Sequence, residues 1–118
     1  IIQAVVSNSN RKLIEHSLKQ IGIFEMVQDI FSRDSVEFGK PNPQMYLNAI
    51  ASQANHPDRC LAFEDSATGI TAARGANLDV IGIGLNTVPH ATLALDLQKN
   101  NWLESLNLYY DFTTNYAE

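Results

Sequence analysis

Apolar residues in this chain fall into short β-branched runs separated by stretches with helical spacing. IIQAVV (1–6) reads as a strand, because β-branched side chains suit a pleated, half-buried surface. From 11 to 21 the period changes. Ile14, Leu18 and Ile21 share one face at spacings of four and three, and Gly22 closes the helix. MVQDIFS (26–32) reads as a second short strand. SVEFGKPNP (35–43) is a loop punctuated by Gly39, Pro41 and Pro43, and Pro43 opens a helix over 43–54 with Met45, Tyr46, Ala49 and Ile50 inward. CLAFE (60–64) is a third strand, Ser66 caps a helix running to about Ala76, and DVIGIGL (79–85) is a fourth strand. Beyond it, 90–106 has weak helical character and LNLYYDF (106–112) reads as a last short strand.

Strands alternating with helices imply a parallel sheet covered by helices on both faces. The expected fold class is therefore α/β, a three-layer, Rossmann-like parallel sheet. Ligands of such sheets bind beyond the carboxyl ends of the strands. Ser7 and Asn8 end the first strand and Glu64 and Asp65 end the third, so both pairs are expected at one edge.

Composition narrows the partners. The 118 residues carry a formal net charge of −5, which argues against nucleic acid or an anionic membrane as a general partner. A single cysteine, Cys60, excludes an internal disulfide and fits a reducing, cytoplasmic setting. No apolar run reaches the ~20 residues that span a bilayer. The length and the 45% hydrophobic content suit one domain over 1–118, with no linker or second domain. The chain starts at isoleucine inside a strand-like run, which implies a segment upstream.

Three polar clusters carry candidate chemistry. In AFEDSATGI, Glu64 and Asp65 are adjacent carboxylates before a helix start, hard oxygen ligands suited to Mg²⁺. Their attraction to a positive helix end, with Ser66 as a cap, explains them equally well. In FGKPNPQMY, Gly39 and Pro41 constrain the backbone around Lys40, whose ammonium could meet a phosphoryl group; a solvated loop lysine is the plainer reading. In VVSNSNR, Ser7 and Asn8 offer hydroxyl, amide and N–H donors for an anion, while an N-cap at Ser9 or Asn10 accounts for the same letters.

Taken together and in this order, VVSNS, FGKPNPQMYLNAI and CLAFEDSATGITAARGA resemble the second, third and fourth motifs of the haloacid dehalogenase superfamily, in its β-phosphoglucomutase and phosphoglycolate phosphatase-like branch. The resemblance covers about 1–88. It implies an Mg²⁺-dependent phosphatase, or a sugar phosphomutase of the same branch, acting on a small phosphorylated metabolite through an aspartyl-phosphate. It implies that Ser7 and the Asn8 N–H hold the phosphoryl group and that Lys40 neutralises it. Asp65 would bind Mg²⁺, with Glu64 as a second ligand or as its support. Such roles suit phosphoryl transfer, which depends on positioning and charge neutralisation.

The family's nucleophile motif, Asp-x-Asp, is absent: no two acidic residues stand at i, i+2 anywhere in the chain. The resemblance therefore implies a core portion without the nucleophile strand or the helical cap, inactive by itself. In the family that strand lies between the strands of 1–7 and 60–64. The expectation is that a second polypeptide or a swapped copy supplies it, or that the two strands close together. A truncated binding or interaction fragment with no turnover is the competing reading. Among the remaining residues, His16, His56 and His90 read as surface or packing positions, Cys60 as a buried structural thiol, and Trp102, Tyr109, Tyr110 and Phe112 as core cover.

Overall fold

The protein was analysed as a computed structural model, which describes residues 1–53, 56–84 and 93–95. Its order is β1 (Ala4–Val6), α1 (Arg11–Gln20), β2 (Asp29–Phe31), α2 (Gln44–Ser52), β3 (Leu61–Glu64), α3 (Ala67–Gly75), β4 (Asp79–Ile83) and β5 (Leu93–Leu95). Every ladder is parallel, as strand–helix alternation requires. β1 pairs with β2, and β3, β4 and β5 form a second sheet in that order.

Neighbouring side chains on β1 face opposite ways, and this builds the layers. Val5 packs with Ile14 and Leu18 of α1 and with Ile30 of β2. Val6 packs on the other face, in a cluster with Tyr46 of α2, Ala62 of β3, Ile70 and Ala73 of α3 and Val80 of β4. Helices therefore cover both faces, and one apolar cluster spans the two sheets although, among the described residues, no ladder joins β1 to β3.

The helix ends follow from local chemistry. Asn10 caps α1, its side chain accepting the Leu13 N–H at 2.9 Å. Gly22, at φ 77°, takes the left-handed turn that ends α1, and the Ile23 N–H returns to the Leu18 carbonyl at 3.0 Å. Ser66 caps α3 by accepting the Gly69 N–H at 3.1 Å.

Three expectations need correction. The strand anticipated over 1–6 is confined to Ala4–Val6. The strand anticipated over 26–32 is shorter: Phe24–Met26 form a single 3₁₀ turn, and pairing opens only at Gln28, whose N–H donates to the Gln3 carbonyl at 2.8 Å. Within the stretch expected to be weakly helical, Leu93–Leu95 is a strand beside β4. There the ladder to β4 outweighs the helix propensity of leucine and alanine. The anticipated strand over 106–112, His90 and the aromatic residues from Trp102 onward lie outside the described residues.

Candidate active site

The carboxyl ends of β1 and β3 lie at the same edge, and Lys40 joins them. Its ammonium donates to the Val6 carbonyl at 2.8 Å, one residue before Ser7. The same ammonium forms an ion pair with Oε1 of Glu64, the last residue of β3. The Lys40 and Glu64 side chains are only 9% and 6% exposed, so this is a buried pair rather than a solvated one. Glu64 has a second donor, because the Tyr46 hydroxyl of α2 also donates to Oε1. Burial, followed by the Glu64 charge, holds the Tyr46 phenol protonated far above its usual range.

Asn8 fixes the backbone that carries Lys40. Its Oδ1 accepts the Lys40 N–H at 2.8 Å and its Nδ2 donates to the Lys40 carbonyl at 3.2 Å. Gly39 makes this approach feasible: a Cβ there would lie 2.6 Å from both Asn8 Oδ1 and Arg33 Cδ. Ser7 is half-buried, and its Oγ accepts the Ser9 N–H at 3.1 Å. That bond leaves the hydroxyl proton able to donate. The Ser7 N–H is used by the sheet, donating to Phe31 at 3.0 Å. Asp65 follows Glu64 and is exposed. An open groove of about 570 Å³ runs past Lys40 between Arg33, Phe38, Asn42 and Thr71.

The contacts thus bring together Asn8, Lys40 and Glu64, with Ser7 and Asp65 next to them along the chain. The sequence reading overlooked two elements. It offered the Asn8 amide to an anion, whereas that amide brackets the Lys40 backbone, and it read Tyr46 only as core. The one available signal was a tyrosine on a buried face, since a buried phenol usually finds a polar partner. The Gly69 position is explained by Glu64, whose carboxylate occupies the space a Cβ would need. Cys60 is half-buried and donates to the His56 carbonyl at 3.4 Å. Burial, then the Asp58 charge, raises its thiol pKa, consistent with an inert side chain. His16 and His56 are exposed, as surface positions.

For Mg²⁺ the donor set fits in part. The ion takes one or two carboxylates and completes its six oxygens with water and phosphate. Asp65 is an exposed carboxylate, Glu64 is buried with its Oε1 taken by Lys40 and Tyr46, and among the described residues no group of three acidic, His or Cys side chains forms.

This edge of a parallel α/β sheet, with a strand-end serine, a buried lysine and a terminal Glu-Asp pair, defines a class that the comparisons establish. The chain belongs to the haloacid dehalogenase-like hydrolases, whose family profile matches residues 1–83. It is 42% identical over 77 residues to YhcW of Bacillus subtilis, across 65% of this chain and 35% of that protein. It is 30% identical to the fructose-1-phosphate phosphatase YqaB of Escherichia coli, across 70% of this chain and 44% of that one. CbbY of Rhodobacter sphaeroides, solved in complex with phosphate, superimposes with a TM-score of 0.75 at 31% identity, over 81% of this chain and 46% of CbbY. The chain therefore spans less than half the length of each of these relatives.

Proposed function

We propose that this chain contributes the phosphoryl-holding and cation-holding part of an Mg²⁺-dependent phosphatase acting on a small phosphorylated metabolite. The observation that carries the reading is the buried link from Lys40 to both strand ends, Val6 on β1 and Glu64 on β3. A lysine tied there meets the chain one residue before Ser7 and two before Asn8, whose N–H has no acceptor among the described residues. Those donors suit the equatorial oxygens of a phosphoryl group, where charge develops during transfer. Asp65 is the exposed carboxylate for Mg²⁺, with Glu64 behind it. When bound, the ion neutralises phosphoryl charge and orients the group.

The attacking carboxylate lies outside this sequence, which contains no Asp-x-Asp. The chain alone accordingly forms no aspartyl-phosphate and does not hydrolyse p-nitrophenyl phosphate. Measurable Mg²⁺-dependent hydrolysis by the pure chain would reverse that statement. In a complete protein carrying the nucleophile, Ser7→Ala should lower turnover by about tenfold or more, the scale of losing one preorganised donor. Unchanged turnover would return Ser7 to a turn-forming role, consistent with its bond to Ser9. Hydrolysis is favoured over mutase chemistry by the phosphatase among the relatives.

A further inference from the structure

Tyr46 is a core residue that points its one polar atom at a charge. It is 7% exposed and packs with Ala62, Ile70 and Val80. Its hydroxyl donates to the same Glu64 oxygen that receives Lys40. The Lys40 ammonium also stands 5.4 Å from the centre of the Tyr46 ring. One carboxylate oxygen thus has two donors, one fixed in a helix and one on a flexible stem.

The two donors differ in what they can do. The phenol is held by packing on every side and cannot follow an incoming anion. The lysine has three N–H bonds, of which one goes to Val6 and one to Glu64. The third has no acceptor among the described residues, and a phosphoryl group that takes it pulls the ammonium against its bond to Glu64. If Lys40 were the sole partner of Glu64, its departure would leave a buried carboxylate uncompensated, an expensive state. With Tyr46 in place, Oε1 keeps a hydrogen bond throughout.

We propose that Tyr46 is a positioning residue for Lys40: its hydroxyl holds the shared oxygen of Glu64, so that the ammonium can turn to a phosphoryl group while the buried carboxylate stays partnered. This rests on the phosphate reading given above. Tyr46 itself touches no substrate. It lowers the cost of moving the lysine, and it keeps Glu64 in place behind Asp65 while the lysine moves.

Tyr46→Phe isolates the hydroxyl, because the ring, its packing and its face toward Lys40 remain. The full chain is titrated with inorganic phosphate in the presence of Mg²⁺ and followed by ³¹P NMR. Tyr46→Phe should weaken phosphate binding by roughly tenfold, the scale of one hydrogen bond to a charged group. A second measurement needs no variant: on saturation with phosphate the Lys40 Nζ resonance should shift while the Tyr46 Cζ resonance stays. Wild-type affinity in Tyr46→Phe, or a Tyr46 resonance that moves with Lys40, would overturn the inference while leaving the phosphate reading intact. No phosphate binding by the wild-type chain would overturn both.

Discussion

Gly69 shows how one residue's identity is set by a neighbour distant in sequence. On helix propensity alone, Gly69→Ala should stabilise α3 by about 1 kcal/mol. The structure reverses the sign. A Cβ at that position would collide with the Glu64 carboxylate, which Lys40 and Tyr46 hold in place. Gly69→Ala is therefore expected to cost about 1–3 kcal/mol, the usual price of overpacking, as read by urea denaturation. A gain in stability would mean that Glu64 is held elsewhere. The same buried pair explains why Lys40 is a poor probe of function. Removing either partner strands a buried charge, at about 3–5 kcal/mol, so lost activity would be confounded with lost fold. Ser7→Ala and Tyr46→Phe avoid this because each deletes a single hydroxyl.

The elements place these residues through their ends. Asn10 and Ser66 start α1 and α3 immediately beyond the strand ends that carry Ser7 and Glu64. Asp34, in the turn after β2, accepts the Arg11 N–H at 3.1 Å and so ties the start of α1 to the neighbouring strand. Hydrogen bonding from Ser32, with smaller help from Arg11, holds the Asp34 carboxyl below its ordinary 3.8. The sign follows from a folded-state pKa below the unfolded one. The contribution is full above about pH 3.8 and is lost as the pH falls through the lower folded value. The Asp34 carboxyl resonance should titrate with a midpoint below 3.8, and a midpoint at or above that value would deny the interaction.

At the scale of the whole molecule, the split sheet is the dominant feature. β1 and β3 share a core through Val6, Tyr46 and Ala62, yet they belong to separate ladders. A strand seated between them would join two sheets of two and three strands into one. Strand edges of this kind pair readily with other chains. We expect the purified chain to self-associate with rising concentration in light scattering, and to become smaller when a peptide able to supply the strand is added. A monomer at every concentration, unaffected by such a peptide, would show that the two ladders are satisfied as they stand.

How much of this was legible beforehand depends on the range of the interaction concerned. Periodicity alone placed α1, α3, β3 and β4 to within a residue or two, because spacing, caps and β-branching act over a few residues. It overextended β1 and β2, whose starts are set by where Gln28 meets Gln3 just before β1, and it assigned weak helical character around Leu93–Leu95, which a ladder to β4 makes a strand. The order of the three motifs was enough to indicate the family. Only the tertiary structure decided that Glu64 turns inward to Lys40 and Tyr46, that the Asn8 amide grips the Lys40 backbone, and that Gly69 must lack a side chain. Each of these depends on a few ångströms between residues far apart along the chain, a distance that local preferences do not encode.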